Sequence, residues 1–455
     1  MIRILKNNEI FKTIRNILFL FNASWIILSE LALYGIFKNY ISFIDRITYK
    51  LASINILYVK IFQAFALNNN LIDEKINNYL LKYTDKAPWT SNDIDYDTLF
   101  ELEDNYNIVF INTVNNVVNN NFKPINSGMI SLVFKATNKS TGEPVIVKLK
   151  RNNINEMLDE SIEKLLFFVY VLSFIPFIEN YKISDLIYKN IGIIKQQTDF
   201  IQEVNNIVKI KTNCKNLKYI VVPEPNMSVT IKYPNVILME YINGVTISNV
   251  NEEDYEGFAK QVLKFGFVST FIHGISHGDL HSGNILFIKD EDSPTHKYKI
   301  GLLDFGIIYE INQGFKQKFL EVLIDLFTTP SEEIAVKMFH SGLIEPLDVI
   351  NNLPKIHYDS IIGMLSSIIN DTINVTKRVN HVKMYEFIYN LNNYINSNNM
   401  IKLGIRPSDN LLKIQLALTM AQGITIKLCK DDYLPLADKV IDELFHTNIL
   451  TSDMD

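Results

Sequence analysis

The chain opens with a long apolar run. From Asn16 to Phe37 its only charge is Glu30, and Arg3, Lys6, Lys12 and Arg15 precede it. A bilayer core of ~30 Å takes about 20 helical residues, so the length suffices for a span. Asn22, Ser24, Ser29 and Glu30 interrupt the run, and a mid-helix acid costs on the order of 3 kcal/mol on insertion. Three readings fit: a core-packed or membrane-surface helix, a single span, and a targeting peptide. No small-x-small cleavage pattern follows to favour the last. Periodic apolar positions continue the helix from Ile41 to Asp85, and Pro88-Trp89 breaks it. Tyr96 to Asn119 is predicted as one more helix, with Leu99, Leu102, Val109, Phe110, Val114 and Val117 on its apolar face.

At Phe122 the pattern changes. A small-residue turn, Asn126-Ser127-Gly128-Met129, runs into a strand ending near Ala136. Asn138 to Glu143 forms a hairpin turn, and Val145 to Lys150 is the next strand. Helices are predicted over 156–177 and 183–208. Strands follow at Tyr219–Val222, Thr230–Lys232 and Val236–Gly244. From Glu252 to about Phe445 the chain reads as helical apart from one segment near 275–306. A short acidic tail, Thr451 to Asp455, ends it. Strands and then helices make the class α+β.

Composition narrows the function only a little. The chain has 455 residues, 47% hydrophobic and 21% charged, with a net charge of −6. It can bury a sizeable core, and nothing in it suggests nucleic-acid binding. Cys214 and Cys429 are too few for a disulfide framework or a four-thiolate zinc site, which fits a reducing, intracellular compartment. Asparagine runs such as Asn68-Asn69-Asn70 read as coding bias rather than as a functional tract.

The chemistry concentrates in the segment near 275–306. His277-Gly278-Asp279 is followed by Asn284, five residues after the aspartate, and then by Asp304-Phe305-Gly306. This spacing matches a kinase catalytic loop and magnesium motif. Phosphoryl transfer needs a carboxylate facing the acceptor oxygen and metal ions that neutralise phosphate charge. Asp279 suits the first task; Asn284 and Asp304 supply oxygen ligands for magnesium. Upstream, Lys148 suits the α/β-phosphates of ATP or ADP, although an ordinary surface lysine fits that stretch alone equally well. Glu203 is its candidate helix partner, against a solvated carboxylate. Backbone groups of Glu240, Tyr241 and Ile242 would meet adenine, with Met239 behind it.

From roughly Leu51 to Leu436 the chain resembles the UbiB family of atypical kinases, the aarF-domain-containing kinases (ADCK). That family's His-x-Asp-Pro-His-Pro-Gly-Asn resembles His277 to Asn284, with Leu280 and Ser282 in place of the prolines. Its alanine-rich nucleotide loop is matched in frame by Pro124 to Val133, with Asn126, Ser127 and Gly128 replacing alanines. Lys148 and Glu203 match its nucleotide lysine and helix glutamate. Its Glu-x-Asp appears as Gln197-Thr198-Asp199, and its Lys-x-Gly-Gln as Lys60-Ile61-Phe62-Gln63.

The resemblance implies a kinase-like two-lobe fold with a helical N-terminal extension, binding Mg-ATP or Mg-ADP. It also implies a place in isoprenoid-quinone or lipid biology at membranes. Lys60, Gln63 and Asp199 would regulate access to the nucleotide, less tightly latched here because Phe62 and Gln197 depart from the pattern. The expected domains are an apolar, basic N-terminal segment (1–50), the extension (51–121), an N-lobe (122–245) and a helical C-lobe (246–455). No Ala-Pro-Glu follows Asp304-Phe305-Gly306, and helix is predicted from about Phe315. A small-molecule kinase or ATPase therefore fits better than a protein kinase. The alternative is a nucleotide- and lipid-binding regulator with little turnover.

Overall fold

The structure, a computed structural model, describes residues 9–59, 87–172 and 191–446 apart from short internal stretches, of which 383–389 is the longest. The chain divides into two compact units, Met1–Asn205 with Glu224–Tyr241, and Asn206–Pro223 with Ile242–Asp455.

In the first unit, α1 (Glu9–Phe37) and α2 (Tyr40–Ile54) are consecutive packed helices. Asn39 caps α2, its side chain accepting from the Ser42 N–H at 3.0 Å. Glu30, fully buried, accepts from Arg46 at 2.8 Å and Lys50 at 2.6 Å, so its charge is matched by α2. By length and composition α1 can cross a membrane over Phe11–Phe37. Its outer face exposes Leu18, Phe21, Trp25 and Leu28.

Helix α3 (Tyr96–Asn105) stops well short of Asn119, correcting the longer helix read from the sequence. Asn107 adopts a left-handed φ of +54°, which ends the helical path. Strands β1 (Ile108–Val109), β2 (Asn112–Val114) and β3 (Val117–Asn119) follow. The β-branched residues there pair across strands instead of lining a helix face.

The main sheet takes β4 (Asn126–Ser127), β5 (Ser131–Asn138), β6 (Pro144–Lys150) and, later in the chain, β8. Its order is β1-β5-β6-β8, antiparallel throughout, with β4 also on β5. Helix α4 (Ile154–Leu172) and helix α5 (Phe200–Asn213) follow β6. Arg15 of α1 bonds Glu160 and Glu163 of α4. Strand β7 (Ile220–Val221) precedes α6 (Met227–Lys232) and β8 (Val236–Glu240). Thr230–Lys232, expected as strand, thus belongs to a helix. Asn226 caps it by accepting from the Val229 N–H at 3.3 Å, which outweighs the β-branched run. One face of the sheet buries Phe134, Val147, Leu149, Val236 and Leu238.

The second unit begins, after α5 and β7, with α7 (Tyr255–Phe267) and a π-helical turn to His273. Gly274 ends it at φ +68°, where a side chain would be strained. Strands β9 (Ile275–His277) and β12 (Ile308–Glu310) pair, and β10 (Ile285–Lys289) pairs with β11 (Tyr298–Leu302). Strand β7 joins β11 in parallel. Helices α8 (Gln313–Asp325), α9 (Ser331–His340), α10 (Lys355–Thr372), α11 (Asp409–Cys429) and α12 (Tyr433–His446) follow. The architecture is α+β.

Candidate active site

Lys148 sits on β6, between partners on both sides: it lies opposite Val133 of β5 and Ile237 of β8. Its Nζ donates to Glu203 Oε1 of α5 at 2.6 Å, and both side chains are buried. An ion pair this dry loses solvation from both charges, and functional sites are where such arrangements concentrate. Lys150, two residues on, shares the strand face. Both ammonium groups approach the Phe200 ring, at 5.6 and 5.1 Å. Burial pushes the Lys150 pKa down, opposed by Asp199 and Glu203. Asp199 accepts from the Gln202 N–H at 3.0 Å at the start of α5. Lys60 and Gln63, its expected companions, lie outside the described residues.

The 126–129 turn is fastened rather than loose. Asn126 and Ser127 pair with Val133 and Leu132, and the Gly128 N–H donates to the Ser131 carbonyl at 2.9 Å. Arg151, buried, donates to the Gly128 carbonyl through Nε at 3.1 Å and Nη2 at 2.7 Å. The Ser127 hydroxyl donates to the Ala87 carbonyl at 2.7 Å. Met129 turns its side chain into a cluster with Ile56, Leu57 and Val59, so only its backbone is left for a ligand. Glu240 ends β8, exposed; Tyr241 is half-buried under the Lys135 ammonium, 4.0 Å from the ring centroid. Ile242, buried, belongs to the second unit.

In that unit His277 organises the segment from 277 to 306. Its Nδ1 accepts from the Asp279 N–H at 3.2 Å, so Nε2 carries the proton and donates to the Leu303 carbonyl at 2.9 Å. One neutral ring therefore joins the two motifs. Burial pushes the His277 pKa down; the Leu303 carbonyl and the charges of Asp279 and Asp304 oppose it without winning. Asn284 Nδ2 donates to the Asp279 carbonyl at 2.9 Å, which leaves its amide oxygen as the end able to meet a cation. The Leu303 N–H returns a bond to the Asn284 carbonyl at 2.9 Å.

Asp304 holds φ +52°, a left-handed conformation uncommon outside glycine. Its Oδ1 accepts from the Gly306 N–H at 3.2 Å, the local bond that lets a short acid tolerate this conformation. His281 Nδ1 accepts from the Gly283 N–H at 3.0 Å, which turns Nε2 toward Asp279 Oδ2 at 3.9 Å. Burial and the nearby Asp279 charge raise the Tyr309 pKa.

The oxygen donors of Asn284 and Asp304 are hard ligands of the kind magnesium takes alongside phosphate oxygens and water. Among the described residues no cluster of three or more His, Cys, Asp or Glu forms a self-sufficient metal cage. The residues thus fit an ion that arrives with phosphate.

Sequence reasoning passed over several residues. Asn206 donates to the Phe305 carbonyl at 2.8 Å and anchors the Asp-Phe-Gly turn; its place three residues after Glu203 was the available signal. Lys427 of α11, its pKa lowered by burial, bonds the Ser282 hydroxyl at 3.3 Å. Nothing local announces that contact, or the grip of Arg151.

Residues 115–338 match the model of the ABC1 atypical kinase-like domain. The domain belongs to the UbiB family. Lys148, Glu203, Asp279, Asn284 and Asp304 all fall inside the matched span. A protein named probable protein kinase UbiB from Actinobacillus pleuropneumoniae is 25% identical over 222 residues, 47% of this chain and 39% of that one. Another of that name from Shewanella woodyi is 24% identical over 316 residues, 66% of this chain and 54% of its own. Probable serine/threonine-protein kinase abkD of Dictyostelium discoideum is 24% identical over 290 residues, 61% of this chain and 39% of its own. The chain thus spans 39–54% of the length of these relatives.

Proposed function

We propose that the chain is a Mg-ATP-dependent phosphotransferase or ATPase of the UbiB type. It acts on a small molecule of isoprenoid-quinone or lipid metabolism rather than on protein. The observation that carries this reading is the fastening of Asp279, Asn284 and Asp304 around one neutral histidine. Such preorganisation is what phosphoryl transfer asks of a protein.

Asp279 orients the acceptor hydroxyl and takes its proton. Asn284 and Asp304 hold magnesium through oxygen, and Lys148, steadied by Glu203, holds the α/β-phosphates. Bound magnesium supplies the neutralisation of phosphate charge that Lys148 alone cannot. The backbone at 240–242 meets adenine. Against a peptide substrate, α8 begins at Gln313, seven residues after Gly306, with no Ala-Pro-Glu between. That leaves little chain for a peptide-clamping segment. The exposed apolar face of α1, with basic residues at its flanks, suits a membrane surface.

One observation favours a second reading, a nucleotide- and lipid-binding regulator with little turnover. Gln197 is buried and its amide oxygen has no hydrogen-bond partner among the described residues, at a position where the family carries a glutamate. Magnesium-dependent ATP hydrolysis, measured with and without lipid vesicles, separates the two. Turnover abolished by Asp279→Asn supports the enzyme. Nucleotide binding without turnover in either condition supports the regulator.

A further inference from the structure

A cavity of about 440 Å³ lies in the second unit, among α7, the start of β11 and α12. That volume suits a small molecule. Its wall carries Lys260, Lys264 and Lys297, with Glu443 as the lone carboxylate and His296 beside them. Three ammonium groups face one carboxylate on this wall, so its lining is locally positive. This is the reverse of the chain as a whole, which carries a net charge of −6.

The lysines are unevenly matched. Lys260 reaches Glu443 at 2.7 Å, and Lys297 reaches Glu291 at 3.3 Å. Lys264 forms no ion pair among the described residues. Its Nζ stands 4.9 Å from the centre of the Tyr219 ring, a second wall of the cavity. Burial pushes the Lys264 pKa down; the Glu443 carboxylate opposes it, and the neighbouring Lys260 charge adds to it. A cation in that position gains from an anion, because removal from water is compensated only by a partner. Lys260 and Lys264 are also four residues apart on α7, where like charges repel.

Gly257 stands in the first turn of α7, one turn before Lys260. A Cβ at Gly257 would stand 2.3 Å from the Tyr298 ring, so only glycine lets that ring lie against the helix. Tyr298 is held there by its hydroxyl, which donates to Asp254 at 3.0 Å. The cavity thus has a fixed aromatic wall and a cluster of cations on one helix face.

We propose that this cavity binds a phosphate monoester, as a free metabolite or as a lipid headgroup. A phosphate supplies the anion that Lys264 lacks as an ion-pair partner, and its oxygens can accept from several ammonium groups together. The aromatic walls take the ester's organic part. None of these residues belongs to the catalytic machinery proposed above, so the site is independent of it.

The test is calorimetric titration of the full chain with glycerol 3-phosphate, its nucleotide site saturated by Mg-ADP. Saturable binding is expected. Lys264→Met should weaken it about tenfold or more, the order of one charge-assisted hydrogen bond, and Lys264→Arg should keep most of it. Without ester, Lys264→Met should unfold at no lower temperature than wild type, since it removes a poorly matched cation. Lys297→Met, at the rim, provides a second variant with the same expected direction. Competition by phosphatidylcholine vesicles containing phosphatidic acid, and not by phosphatidylcholine alone, would identify the source as a lipid headgroup. Binding of the soluble ester without such competition would identify a metabolite. Absence of ester binding in a protein that still binds Mg-ADP overturns this site and leaves the nucleotide reading standing. Equal binding by wild type and both methionine variants overturns it as well.

Discussion

Removing Lys148 takes from a buried carboxylate the ammonium it accepts from. Glu203 is 2% exposed at its side chain and Lys148 8%, with 2.6 Å between the charged atoms. Breaking a buried pair by deleting one partner costs about 3–5 kcal/mol, because the survivor stays desolvated and uncompensated. Lys148→Met is therefore expected to destabilise the first unit by that amount, and Glu203→Gln somewhat less, since glutamine still accepts from the ammonium. The double variant Lys148→Met/Glu203→Gln should recover most of the loss, because a buried pair replaced on both sides is often close to neutral. The coupling in this cycle should be at least about 1.5 kcal/mol in magnitude, above the scatter expected of independent sites. Urea unfolding of the four proteins by circular dichroism measures it. Strictly additive single-variant losses would refute the reasoning: Lys148 and Glu203 would then not act as one buried unit. Nucleotide affinity should fall in every variant lacking Lys148, whatever its stability.

Asp279→Asn should keep ATP affinity and lose turnover by roughly 10²-fold or more, the contribution of a general base; unchanged turnover removes Asp279 from the mechanism. Asp304→Asn should weaken Mg-ADP binding far more than binding of metal-free ADP, and equal thermal stabilisation of both proteins by Mg-ADP would rule out the metal role. His277 has a folded pKa below its ordinary value of 6.5, so the unfolded chain takes up the proton first. Its contribution is intact above about pH 6.5 and declines as the pH falls below that, so melting temperature should drop more between pH 7 and 5 in wild type than in His277→Gln. For the membrane surface, Phe21 and Trp25 are 73% and 65% exposed. Phe21→Glu/Trp25→Glu should leave the melting temperature unchanged and abolish flotation with anionic vesicles, and undiminished flotation would place the contact elsewhere.

How much of this was legible in the sequence depends on the range of the interaction involved. The hairpin at 131–150 and the helix after Tyr255 follow from local periodicity and turn residues, and they stand where the pattern put them. The helix over 96–119 was overextended because Leu99 and Leu102 share a helical period with the valines that follow. The punctuation was present: an asparagine at 107, among the few non-glycine residues suited to a left-handed turn. Thr230–Lys232 failed in the opposite sense, the strand propensity of Thr230 and Ile231 overridden by the cap at Asn226.

The motif at 277–306 was legible for a different reason. Its spacing is dictated by bonds that span few residues, such as Asn284 to the Asp279 carbonyl and Asp279 to His277. A motif is readable when the contacts that make it are local. The contacts that hold it in place are not local: Asn206 reaches Phe305, and Lys427 reaches Ser282 across 145 residues. The substitution of Ser282 for the family's proline looks like a loosening when the loop is read alone. In the fold the hydroxyl gives Lys427 something to hold, so stiffness lost from the backbone is replaced by a tether from α11. Departures from a motif are therefore better judged by what the new side chain touches than by what the old one was.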